Sequence, residues 1–238
     1  MNEMDDYINI DLSDFTYGFK YEIEYFSEYL KFNEGKVDEW KRQLNEKLEV
    51  DKKKAPGCEK GLEEIYRIDD LKLPSYFYHS TIVTLYSILE SKLNEICRII
   101  KQKTELVVDL KDMAGTNIIE KARKYLIFFA EVDFEIKQND WKRITDFQKL
   151  RNIIIHHNFL SEEVINEDKK ISKAIELFNS IEYLESSNEF FVKDLSIPEE
   201  FLLLIKNFIL ELVKQINERK FPIHKKVDKP KDFDDLPF

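Results

Sequence analysis

Five glycines and six prolines in 238 residues leave this chain few places to turn sharply. A chain so poor in turn formers, and rich in Lys, Glu and Leu, folds most readily into long helices rather than many short strands. With 43% of its residues hydrophobic it can bury a sizeable core, and its length suits one domain with an appendage or two small ones.

The periodicity of apolar residues places the elements. Phe15, Phe19, Ile23, Phe26 and Leu30 recur at three or four residues, so a helix is expected over 12–33, and Val37, Trp40, Leu44 and Leu48 mark a second over 36–49. The segment 51–61, with Pro56 and Gly57, reads as a charged loop, and a short helix follows over 61–70. Pro74 is expected to open the longest helix, about 75–102, and 105–110 is ambiguous. Asn117 is placed to cap a helix running to Phe129, with Glu120 as its capping-box partner. Asn139 or Asp140 is expected to cap the helix 141–157, and a further helix spans about 162–180. A β-hairpin is expected about Ser186–Asn188, and Pro198 opens a last helix to about 219. The organisation expected is an all-α antiparallel bundle over 74–222 with an N-terminal helical extension, 1–73, one small hairpin, and a charged tail, 223–238.

Net charge is −10, which argues against a protein that coats DNA non-specifically, though not against one that clamps a phosphate locally. The basic clusters Lys41–Arg42, Arg98–Lys101–Lys103 and Lys121–Arg123–Lys124 read as solvated helix faces. Cys58 and Cys97 are too few for a disulfide framework, and the N-terminal residues are acidic rather than signal-like. The most apolar run, 201–213, is interrupted by charge and too short to span a bilayer, so a cytoplasmic setting with no membrane is expected.

The chemistry-bearing segment is RNIIIHHN, 151–158. Trp141, Ile144, Phe147 and Leu150 give the helix an inward face. Three consecutive isoleucines, each stepped about 100° from the last, then spread apolar surface over roughly 200°. A helix apolar over so much of its circumference is central to a bundle or lies at an interface. Arg151 and His156 lie about 140° apart and about 7.5 Å along the axis, so one helix does not place them on one face. A two-fold pairing of this helix with its copy would gather both residue types around one cleft.

Such a cluster suits RNA phosphodiester cleavage: His156 can exchange a proton near neutral pH, Arg151 matches phosphate oxygens with its fork, and Asn152 can position either. The 2′-hydroxyl of the substrate is its own nucleophile, so neither metal nor cofactor is required. The residues also allow a plainer reading, in which the histidines stabilise a helix C-terminus and Arg151 pairs with an acidic neighbour. His79, early in a long helix, reads as structural. A metal site at His156, His157, Glu162 and Glu163 is disfavoured, because adjacent histidines point about 100° apart on a helix, and no nucleotide-binding glycine loop is present.

Leu150 to His157 resembles the signature of the HEPN superfamily, an Arg, often followed by Asn, then a His after four to six residues. Arg151, Asn152 and His156 match with four intervening residues, and His157 with five. Tyr86 to Ile96, YSILESKLNEI, is similar to the long first helix of that family, with its embedded acid at Glu90; the resemblance covers roughly 75–220. It implies a helical bundle that dimerises through the motif helix, here 141–157. It also implies a metal-independent endoribonuclease of a toxin–antitoxin or antiviral system, with RNA as substrate and an antitoxin or regulatory protein as partner. Arg151 and His156 would be catalytic, Asn152 supporting, and His157 and Glu90 accessory. Some members bind nucleotides or proteins without cleaving, so a non-catalytic helical module is the alternative.

Overall fold

The computed structural model describes residues 7–156, 176–184 and 189–223. In order they form β1 (Tyr7–Asn9), α1 (Ser13–Lys54), α2 (Glu59–Thr104), a 3-10 turn at Leu110–Asp112 and α3 (Ile118–Ala130). A second 3-10 turn at Glu135–Lys137, α4 (Gln138–His156), β2 (Ile181–Leu184), β3 (Glu189–Val192), α5 (Ser196–Asn217) and β4 (Lys220–Pro222) follow. The protein is mostly helical, of the all-α class, and the strands form two small antiparallel pairs.

Two expected breaks are absent. The helices expected over 12–33 and 36–49 are one helix, α1, which continues through Gly35. Glycine costs a helix about 1 kcal/mol relative to alanine, which is too little to stop it here. Leu30 and Val37, two turns apart and both buried, hold the same face inward on either side of Gly35. Glu28–Lys31 and Lys36–Glu39 bridge successive turns at 3.0 Å each.

Likewise 61–70 and 75–102 are parts of α2, with Pro74 inside it rather than at its start. The expected division after residue 73 therefore falls within a continuous helix. Interior proline costs about 3 kcal/mol. It is offset by anchoring on both sides: the Tyr66 hydroxyl donates to Asp51 of α1 at 2.6 Å, and Ser75, Tyr78 and Ile82 are buried beyond it. The charged loop expected over 51–61 shrinks to Ala55–Cys58. There Gly57 takes φ +90°, a conformation that side chains rarely adopt.

Other boundaries follow local chemistry. The Asn117 side chain accepts from Glu120 N at 2.9 Å, as expected of a cap, but the Glu120 carboxylate takes the backbone and hydroxyl of Thr116, one residue before the expected partner. Asn117→Ala is expected to lower stability by about 1 kcal/mol, measured by urea unfolding. Neither Asn139 nor Asp140 caps α4: the preceding 3-10 turn, which has no side-chain cap at Phe134, runs straight into it, and Asp133 just ahead accepts from Glu135 N at 2.8 Å. α5 starts two residues ahead of Pro198, where Asp194 accepts from Ser196 N at 3.0 Å. The expected hairpin is present, with Ile181 opposite Val192 and Leu184 opposite Glu189; its turn lies outside the described residues. So do residues 162–175 of the helix expected over 162–180, and the tail from residue 224. Phe178–Ser180 form a turn into β2 rather than helix. The pairing of β1 with β4 has no counterpart in the sequence pattern.

The chain divides into two compact units, residues 1–21, 87–142 and 204–238 in one and 22–86 and 143–203 in the other. In the first, Phe134 packs edge-on against Trp141 at 5.5 Å and beside Phe208 of α5 at 6.0 Å, over a core of Leu93, Ile96, Tyr125 and Leu126. Asn217 accepts from Leu12 N at 3.0 Å, fastening the end of α5 near β1. In the second, Phe147 of α4 stacks on Phe201 of α5 at 4.1 Å, and Ile82, Leu85, Leu150 and Ile154 fill the core. The hairpin is fixed to α2 there by a Val192 N to Ser75 Oγ hydrogen bond of 3.0 Å and an Arg67–Glu182 ion pair of 2.6 Å.

Candidate active site on α4

α4 decides how the motif is displayed. Ile153 and Ile154 are buried with Phe147 and Leu150, whereas Ile155 turns outward at 43% exposure. Two of the three isoleucines therefore serve the core, and the third is surface. Arg151 stands at the edge of the buried face, half-buried, and Asn152 is exposed.

Two arginines on this helix show what distinguishes the motif. Arg143 is saturated: it grips Glu200 with two nitrogens, at 2.5 and 2.9 Å, donates to Leu177 O at 3.1 Å and lies 4.2 Å from the Phe178 ring. Arg151 is not. Its guanidinium donates to Asn152 Oδ1 at 3.0 Å and lies 5.3 Å from the ring of Tyr86, and no carboxylate partner is present among the described residues. Its Nε is buried without an acceptor. An unpartnered buried donor costs about 1–3 kcal/mol, more on a charged group, so such an atom in a native fold calls for a reason. The plain reading, Arg151 neutralised by an acidic neighbour, thus finds no such neighbour among the described residues.

The structure brings Arg151 and Asn152 together directly. α4 stays regular through His156, so positions 151 and 156 remain about 140° apart on the backbone. Asn152, four residues before His156, shares its face, so the Arg151–Asn152 hydrogen bond carries the guanidinium toward the face on which position 156 lies. The His156 side chain and all of His157 lie outside the described residues. Glu90 is half-buried in α2, within the first unit, and Arg151 belongs to the second.

Sequence reasoning does not single out Tyr86, whose ring lies beside the Arg151 guanidinium. It stands in a segment read only as a long helix, and an aromatic at helical spacing gives no sign of what lies on its ring. His79, by contrast, is structural, as expected. It is buried on Phe190 at 4.9 Å with Nε2 3.2 Å from Ser75 Oγ, and burial lowers its pKa to about 4. The Ser75 oxygen also accepts from Val192 N, so this one hydroxyl ties His79 to the hairpin, with the donor toward His79 set by the tautomer of the ring.

Each basic cluster sets at least one member on an acid, with Arg42–Glu46 at 2.9 Å, Lys101–Asp109 at 2.6 Å and Lys124–Glu120 at 3.7 Å. Arg123 instead lies over Trp141, at 5.0 Å. Cys97 is buried, and burial pushes its thiol pKa up, whereas Cys58 is exposed. Among the described residues, no group of three His, Cys, Asp or Glu side chains is placed to hold a metal, and no helix is long and apolar enough to cross a membrane.

No family model, curated protein or solved structure matches this chain.

Proposed function

We propose that this protein is a metal-independent endoribonuclease of HEPN type, acting in the cytoplasm as a homodimer through α4, in a toxin–antitoxin or antiviral defence role. The observation that carries the reading is Arg151: a guanidinium with no acid to neutralise it among the described residues, hydrogen-bonded to an exposed asparagine one turn before His156. In the reaction, a 2′-hydroxyl attacks the adjacent phosphorus as a His156 imidazole takes its proton. The bond to the 5′-oxygen breaks, a protonated His156 of the second copy supplies that oxygen with a proton, and a 2′,3′-cyclic phosphate remains. Arg151 stabilises the charge that builds on the phosphoryl oxygens, and Asn152 orients it. Exposed Ile155, one turn from Arg151, supplies apolar surface for the pairing of two α4 helices.

The test is RNA cleavage with chelator present. The wild type is expected to cleave, and His156→Ala and Arg151→Ala are each expected to lose at least about a hundredfold. Equal cleavage by all three, or loss caused by chelation alone, overturns the proposal. The net charge of −10 favours a second reading, a non-catalytic module whose acidic surface docks a partner protein, for which none of the three would cleave.

A further inference from the structure

Resting on that reading of Arg151, we infer that Tyr86 is a positioning residue of the same site: its ring holds the Arg151 guanidinium in place without neutralising it, so that the full charge is kept for a phosphodiester. Tyr86 is 2% exposed on α2, and the guanidinium carbon lies 5.3 Å from its ring centre. A cation can be held beside the protein interior by a carboxylate or by the face of an aromatic ring. A carboxylate cancels the charge and occupies the donors of the fork, as Glu200 does to Arg143. A ring attracts through its quadrupole, fixes the plane of the guanidinium and takes none of its donors. Asn152 then fixes one terminal nitrogen, and Nε is buried too deeply to compete for the ligand. The result is an oriented cation that no carboxylate among the described residues compensates, which is what recognition of a phosphate oxygen requires. The ligand class is therefore an RNA phosphodiester that reaches Arg151 from the Asn152 side.

The test is binding of a 2′-O-methyl RNA oligonucleotide, which cannot be cleaved, across a salt series by fluorescence anisotropy. Tyr86→Leu is expected to weaken binding about tenfold. It is also expected to reduce the slope of log affinity against log salt by about 0.7, the loss of one phosphate contact on a single strand. Tyr86→Phe, which keeps the ring, is expected to stay within about threefold of the wild type. A change that merely loosened the fold would not remove one unit of phosphate contact. If Tyr86→Leu does not fold, the wild type decides alone: the Arg151 Nε–H resonance is expected at a ring-current-shifted position and to move as the oligonucleotide is added. Wild-type affinity and slope in Tyr86→Leu, or a resonance indifferent to the oligonucleotide, overturn the inference. Failure of the wild type itself to bind is a different result: it refutes Arg151 as a phosphate clamp and removes the ground on which Tyr86 was assigned.

Discussion

Phe147→Ala is expected to destabilise the protein by about 3–5 kcal/mol. Phe147 is fully buried, stacked at 4.1 Å and 6° on Phe201, with Phe178 meeting it edge-on at 5.0 Å. Removing the ring exposes no surface that water can reach. It leaves a cavity whose walls lose their contacts, and two aromatic pairs go with it. The loss spreads further because Arg143 lies 5.2 Å from Phe147 and 4.2 Å from Phe178 while gripping Glu200 and Leu177 O. That network joins α4, α5 and the chain leading into β2, and its geometry depends on the rings below it. Phe147→Leu, which refills most of the volume, is expected to cost less than half as much. Urea unfolding of the two variants checks both figures, and a Phe147→Ala cost below about 1.5 kcal/mol would show that this stack is not a centre of the core. Because α4 carries Arg151 and Asn152 only two turns or less beyond Phe147, weakening this stack should also weaken the proposed site, whereas Arg151→Ala leaves the stack intact.

The helices were legible in the sequence because apolar periodicity is a property of neighbours three and four apart. The interruptions were not, because whether a helix survives Gly35 or Pro74 depends on what the flanking turns bury. Leu30 and Val37 decide the first, and Tyr66, Ser75 and Tyr78 the second. Side-chain caps were read correctly where the residue stands next to an extended backbone, as at Asn117, and incorrectly where a 3-10 turn intervenes, as before α4. The β1–β4 pair joins segments more than 200 residues apart, Tyr7 opposite Pro222, and local pattern says nothing of such a partner. The candidate site was legible only as residue types. The sequence offers Arg143 and Arg151 on one helix with equal claims. Only the structure separates them, by giving Glu200 to the first and Tyr86 to the second.

The pH dependence of stability should carry the mark of His79. Its pKa is about 4 in the folded protein because burial penalises the charged ring, against about 6.5 in an unfolded chain. The folded value is depressed, so the stabilisation is fully present above pH ~6.5, where both states are neutral. It falls between pH ~6.5 and ~4, as the unfolded chain takes up a proton that the folded protein refuses, and levels off below. The amount lost across that window is about 3 kcal/mol. Glu34 acts in the opposite sense: burial and the nearby Asp38, Glu199 and Asp194 raise its pKa, so protonation favours the folded state. Carboxylates whose pKa is lowered, such as Asp109 beside Lys101 and Glu120 beside Thr116, add their loss only at the acid end. The difference between the wild type and His79→Gln isolates the histidine, because the amide can still hydrogen-bond Ser75, as donor or acceptor, and does not titrate. Urea unfolding at pH 7 and pH 4.5 is expected to show the wild type losing about 2 kcal/mol more than His79→Gln over that interval. Equal losses would mean that His79 is protonated in the fold. The buried Ser75–His79–Phe190 contact that fastens β3 to α2 would then have to open in acid, carrying with it the segment of α2 that leads to Tyr86.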